Sequence, residues 1–370
     1  MRLDSCSRPV FARHESFHPR HGWLKKAVDG AARDPRMFTR EDAVVELGVG
    51  KNMVRAIRHW GLATKVLAQL PDSEHPRAPS TVPSRIGEVL LGDDGWDPYC
   101  EAPATLWLLH WLLVAPPSKA PIWWLALNEF PAVEFSQDQL VDYTTAFLAG
   151  VAEWKPPHPS SIKKDVDCFL RMYAAAPQGD DDGDDLIDCP FRDLGVVRPV
   201  PGGRRAYRFA IGPKPALPAE VAMFAALDFV ARTEASSHTV TLSRLATEPG
   251  GPGRAFKLTE KDLGALLAKA TGHGVSLVDA TGVAQLAFGE DPAAAATNIL
   301  WGHYAALNSG AARPAVALAG PEAEHPPSAV EDSELPGRSR PRQVDLHGPP
   351  PAFIGRRPGW KLASESRLQP

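Results

Sequence analysis

Residues Glu41 to Gly61 read Glu-Asp-Ala-Val-Val-Glu-Leu-Gly-Val-Gly-Lys-Asn-Met-Val-Arg-Ala-Ile-Arg-His-Trp-Gly. That spacing leaves the chain few choices: two short helices joined by a glycine-bearing turn, the pattern of a helix-turn-helix. Ala43, Val44 and Leu47 form the apolar stripe of a first helix. Gly48 ends it, because the turn needs a positive φ that glycine adopts without steric cost. In the second helix Met53, Val54, Ile57 and Trp60 share one face, and Lys51, Asn52, Arg55, Arg58 and His59 take the other. Cations and amide donors then project together, as contact with phosphates and guanine edges in a major groove requires. Any basic amphipathic helix pair would share part of this pattern; the turn glycine, apolar spacing and basic face coincide here, which favours DNA contact.

Charge along the chain agrees with that reading. The formal net charge is −4, yet residues 1 to 65 hold thirteen Lys/Arg against seven Asp/Glu, so the first segment carries +6 and the rest −10. A basic N-terminal quarter supplies sequence-independent attraction to phosphates, while an acidic remainder limits indiscriminate sticking.

At 370 residues with 44% hydrophobic content, the chain can bury two ordinary cores. Cys6, Cys100, Cys168 and Cys189 are scattered, with neither a zinc-type pair nor a disulfide framework. No signal peptide is evident, and the richest apolar run, Ala104 to Ala115, is too short to span a bilayer. A cytoplasmic protein without membrane contact is expected.

The expected fold class is mainly α (α+β). An N-terminal helical domain with the helix-turn-helix covers 1–176, an acidic linker 177–185, a winged-helix-like domain 186–308, and a disordered tail 309–370. Segment 64–85 reads as a wing or loop, and Ser84 to Leu91 as a short helix. Pro103 to Val114 reads as a buried helix, with proline harmless at its first turn. Ser136 and Gln139 suit a capping box for a helix through Val151. A helix over Ser161 to Ala174 places Ile162, Val166, Phe169 and Tyr173 on one side. Beyond the linker, helices are expected over 221–232, 242–247 and 259–271, and a hairpin over 275–288.

Several separated motifs carry a resemblance. They are Phe11, His14-Glu-Ser-Phe17, Arg20, Gly22-Trp-Leu-Lys-Lys26, Leu47-Gly-Val-Gly-Lys-Asn-Met53, Asp94-Gly-Trp-Asp-Pro-Tyr99, Thr105-Leu-Trp-Leu-Leu-His-Trp111, Lys163-Lys-Asp-Val-Asp-Cys-Phe-Leu-Arg171 and Asp188-Cys-Pro-Phe191. Over residues 11 to 308 the chain resembles a bacterial family long catalogued as a domain of unknown function, and is similar to the SspB-like nicking subunits of DNA phosphorothioation systems, which act in anti-phage defence. The resemblance implies a nickase for double-stranded DNA. Its implied partners are a cysteine desulfurase, an ATP-pyrophosphatase-type sulfur-transfer enzyme and an ATPase, which replace a non-bridging phosphate oxygen with sulfur.

Nicking needs an activated nucleophile, charge stabilisation at phosphorus and a leaving oxygen that is protonated or metal-held. One candidate cluster joins Asp93, Asp94, Asp97 and Glu101 to His110. Asp94, Asp97 and Glu101 offer hard oxygens suited to Mg²⁺, and His110 could serve as acid or base if the following helix folds back. Against this, Asp94-Gly95 is a turn and Asp97 before Pro98 is a good cap. The second cluster is Lys164, Asp167 and Arg171, flanked by Lys163 and Asp165. Lys164 and Arg171 would hold the scissile phosphate and Asp165 or Asp167 a metal, although mixed charges on a helix also suit pairing on a wet face. Arg20, Lys25 and Lys26 precede the reading helices and suit phosphate clamping; a lone His14 reads as structural. Val49-Gly-Lys51 lacks the glycine and Ser/Thr of a phosphate-binding loop. The nickase reading therefore competes with a non-catalytic winged-helix adaptor or transcription regulator.

Overall fold

The computed structural model describes residues 2–70, 79–174, 189–201, 205–233, 238–280, 282–289 and 291–310. Among them the chain is a mixed α/β molecule with small antiparallel sheets. After α1 (Leu3–Cys6) come α2 (Trp23–Arg33), α3 (Ala43–Glu46) and α4 (Lys51–Ala63), then β1 (Leu67–Leu70) paired antiparallel with β2 (Ser80–Pro83). The Thr81 N–H also donates to the Pro35 carbonyl, so the segment between α2 and α3 lies along the outer edge of β2. Gly48 turns between α3 and α4 at φ +64°, the conformation the sequence required there. Ala43, Leu47, Val54 and Met37 close a small core under this turn.

Two connecting helices follow, α5 (Arg85–Leu91) and α6 (Pro103–Val114), and then a second unit with the same order of elements. It consists of α7 (Pro121–Asn128), β3 (Glu134–Ser136), α8 (Gln137–Ala149), α9 (Pro159–Tyr173), β4 (Val197–Pro199) and β5 (Ala206–Phe209), with strand order β3-β5-β4. A third unit repeats it with α10 (Ala219–Thr233), β6 (Thr239–Thr241), α11 (Leu242–Thr247), an added α12 (Pro252–Phe256), α13 (Glu260–Leu267), β7 (Ser276–Ala280) and β8 (Val283–Ala287), in the order β6-β8-β7. Three times, then, a helix leads through an extended segment to two more helices and a hairpin, and the last strand of the hairpin pairs back onto that extended segment. The final helix, α14 (Pro292–Gly310), packs along α10.

Local chemistry explains the element starts. Ser136 and Gln139 form the capping box expected for α8, and Ser84, Thr241 and Thr259 cap α5, α11 and α13, each side chain satisfying a first-turn N–H that the helix cannot. α6 and α7 are apolar all round, and apart from Pro103 every residue of the two is buried, as suits helices at the centre of a core. One continuous hydrophobic cluster runs from Leu3 to Tyr304.

That core runs across the expected linker at 177–185. β3 at 134–136 pairs with β5 at 206–209, so the boundary drawn at 177–185 falls inside the middle unit, between α9 and its hairpin. Strands of three or four residues, each burying only one or two side chains, are too short for alternation to reveal. The acidic run 177–185 itself lies outside the described residues, as does the tail from 311; residues 309–310, expected to be tail, end α14.

Candidate nucleic-acid interface

α4 divides as its sequence predicts. Val54, Ile57 and Trp60 are buried, and Lys51, Asn52 and Arg55 are exposed. Gly50 stands at the N-cap with no side chain capping the helix, so the first-turn N–H groups open beside Lys51 and Asn52 and make a favourable setting for an anion. Two residues expected on this face turn inward instead. Arg58 donates from Nε to Thr81 Oγ1 at 3.1 Å, bracing α4 on β2, and burial lowers its pKa. His59 lies edge-on to Trp60 at 5.0 Å, and burial pushes its pKa down to about 3.

The segment before α2 holds α4 against α9. His14 is buried, and its Nδ1 accepts from the Ser16 N–H at 3.0 Å. Nε2 therefore carries the proton, and it meets Asp165 Oδ1 of α9 at 2.6 Å; the same oxygen accepts from the Ala12 N–H at 2.8 Å. Burial raises the Asp165 pKa above its ordinary value even though His14 and Ala12 act to lower it. Beneath them Trp60 stacks on His14 at 6.0 Å, and Trp123 meets both rings edge-on. Trp60 Nε1 donates to the Phe17 carbonyl, Arg171 Nη2 to the Ser16 carbonyl at 2.7 Å, and Glu15 pairs with Arg55 at 3.5 Å. Residues 11–18 thus form a strap with one edge on each helix. Ala12, Glu15 and Ser16 all have positive φ (53°, 51° and 67°), a conformation costing about 1–3 kcal/mol for each such residue and sustained only where surrounding contacts enforce it.

The expected cations that precede α3 are engaged. Lys25 Nζ lies 2.6 Å from both Asp29 and Asp93; burial acts to lower its pKa, but the two carboxylates outweigh it and raise the pKa. Lys26 donates to the Leu47 carbonyl at the end of α3, and Arg20 lies over Phe17 and Trp23. On α9, Lys163 and Lys164 are exposed. Asp167, half-buried, accepts from Gln137 Nε2. Its pKa is raised by burial, against the charges of Lys163, Arg171 and Arg205.

Asp97 of the acidic turn anchors the loop that leads into α6. Asp97 Oδ1 accepts from the Glu101 N–H at 2.9 Å, and Oδ2 from the Ala102 N–H at 3.0 Å and Thr105 Oγ1 at 2.5 Å. Both oxygens face the start of α6, while Asp94 and Glu101 are exposed. His110, expected as an acid or base near this turn, is fully buried. Its Nε2–H donates to the Ala255 carbonyl at 2.9 Å, Nδ1 accepts from the Tyr173 hydroxyl at 2.7 Å, and burial pushes its pKa down to about 4. Asp165, too, turns to His14 and not outward to a phosphate. Among the described residues no group of three or more His, Cys, Asp or Glu is placed to hold a metal ion. Asp94, Asp97 and Glu101 do not fit Mg²⁺ as a set, since Asp97 is committed to the helix start.

Reasoning from sequence missed Glu15, Ser16 and Arg205. Left-handed conformations at alanine, glutamate and serine leave no trace in residue type, and Arg205 is one arginine among many until the fold sets it near Asp167.

Comparison with known proteins places the chain. A family model described as a protein of unknown function (DUF4007) matches residues 11–304. Two crystal structures, one of SspB and one of magnesium ion-bound SspB, are each 39% identical to this chain and cover 85% of it and 92% of their own length. Their TM-scores are 0.77 and 0.78, the latter for the magnesium-bound form. A search of curated protein sequences gave no significant match. The chain belongs to the DUF4007 family, and within it the protein is SspB-like.

Among the described residues no helix is long and apolar enough to cross a membrane.

Proposed function

We propose that this protein is the DNA-nicking subunit of a phosphorothioation system, and that α4 is its DNA-reading helix. We read the three repeated units as winged-helix modules, the first with α4 in the reading position and β1–β2 as its wing. The observation that carries the proposal is the exposed Lys51, Asn52 and Arg55 around the uncapped start of α4, in a chain 39% identical to SspB. These groups would bind and orient the duplex, and the strap 11–18 would hold α4 in register with α9.

Nicking adds water to phosphorus and breaks one P–O bond, and the charge that builds on the phosphate oxygens needs cations such as Arg55 nearby. Among the described residues Mg²⁺ has no complete protein ligand set. The proposed partners are double-stranded DNA and the desulfurase, sulfur-transfer enzyme and ATPase of the same system.

Plasmid relaxation is the test. Purified protein with a divalent cation should convert supercoiled plasmid to open circles, with few linear ends, because one cut relaxes supercoiling. Supercoiled plasmid that persists under tight binding, across several metals and sequences, would reject nicking and favour a targeting adaptor.

A further inference from the structure

We propose that α9 and Arg205, just before β5 in the middle unit, form a second phosphate-contacting surface, which engages the same duplex as α4. The inference rests on the reading of α4 as the DNA-contacting helix and extends it to a unit that the sequence did not reveal.

Three observations support it. α9 holds the position in the middle unit that α4 holds in the first: third helix, followed by a hairpin whose last strand returns to the extended segment. Second, the wet side of α9 is cationic. Lys163 and Lys164 are exposed, Arg171 is half-buried, and Arg205 is exposed and close enough to act on Asp167. The charges acting on Asp167 include three cations, Lys163, Arg171 and Arg205, and one carboxylate, Asp138.

The third observation is the strap. Consecutive residues touch the two helices, Glu15 at Arg55 and the Ser16 carbonyl at Arg171. Since consecutive Cα atoms lie about 3.8 Å apart, Arg55 and Arg171 flank the strap at neighbouring residues. A duplex seated on Lys51 and Arg55 would cross the strap to reach α9. The third unit lacks this character: Glu260, Lys261 and Asp262 open α13, with Thr259 capping it.

The test compares salt dependence in three variants of the full chain: Lys51→Gln/Arg55→Gln, Lys163→Gln/Lys164→Gln/Arg205→Gln, and Lys261→Gln/Lys269→Gln. Each lost phosphate contact should lower the slope of log affinity against log salt by about 0.9. The expected result for the middle-unit variant is a slope lower by about 2–3, with unchanged melting, while the third-unit variant binds as the wild type does. Lys163→Arg/Lys164→Arg should retain the wild-type slope. If the α4 variant loses affinity and the middle-unit variant keeps wild-type affinity and slope, this inference fails and the α4 reading stands. If wild-type protein binds no duplex, both fail.

Discussion

The two seams that join the three units are built from opposite materials. Between the first and second units lies a polar, strained strap, with His14 on Asp165 and exposed cations at its edges. Between the second and third lies an aromatic interior, in which Trp107, His110, Trp111, Tyr173 and Phe256 pack ring against ring. His110 bridges Tyr173 of α9 to the Ala255 carbonyl of α12 there. A seam of the second kind contributes rigidity by burial, pinned by the hydrogen bonds of His110. The first kind holds strain beside a charged surface, which is where ligand contact is found in other folds. The shared topology of the units thus says little about function; the chemistry placed on it does.

The aromatic seam predicts the largest effect. His110→Ala would leave the Tyr173 hydroxyl and the Ala255 carbonyl unpaired around a cavity, at a cost of about 3–5 kcal/mol. Denaturant unfolding checks it. A loss under about 1 kcal/mol would mean that the second and third units do not depend on this bridge.

The same histidine sets an acid limit. Its folded pKa of about 4 lies below the ordinary 6.5, so between those values the unfolded chain binds the extra proton. Its stabilising contribution is complete above about pH 6.5 and declines as pH falls toward 4, by about 3 kcal/mol in all. His110→Gln offers a donor and an acceptor but cannot titrate. Stability curves measured from pH 7 to 4 should be flatter for that variant, and parallel curves would place the acid sensitivity elsewhere.

For the polar seam the expected loss is in binding. Lys51→Ala with Arg55→Ala should weaken duplex affinity by about 1–3 kcal/mol for each base-edge contact removed, leaving the fold intact because both side chains are exposed. Arg58→Ala should instead lower the melting temperature, since Arg58 braces Thr81. If Arg58→Ala cost affinity and not stability, the inward placement would be wrong for the DNA-bound state.

The contrast also explains what the sequence revealed. α4 was legible because its apolar spacing and the turn glycine are local signals, and α5, α6, α8 and the β7–β8 hairpin were legible through caps and turns. The middle unit was not, because β3 meets β5 across more than sixty residues of chain and strands this short leave no local pattern. α14 was missed between an alanine-rich start and a Pro/Gly-rich tail; Trp301 and Tyr304 find their partner, Trp96, about two hundred residues away. Among the site residues, type alone could not separate Lys51, which faces solvent, from Lys25, which is buried between two carboxylates.

Asp97 is the sharpest example of that ambiguity, and it carries the smallest expected effect. As a metal ligand it would be indispensable to cutting; as the anchor of the loop entering α6 it is a contributor to stability. The geometry supports the anchor, with three donors converging on its two oxygens. Asparagine at this position would keep one acceptor oxygen and set its amide against a backbone N–H, costing about 1 kcal/mol. Asp97→Asn should therefore melt a few degrees lower and, below that transition, relax plasmid at the wild-type rate. Loss of relaxation with full stability would return Asp97 to the chemistry and require the loop before α6 to be held by another group.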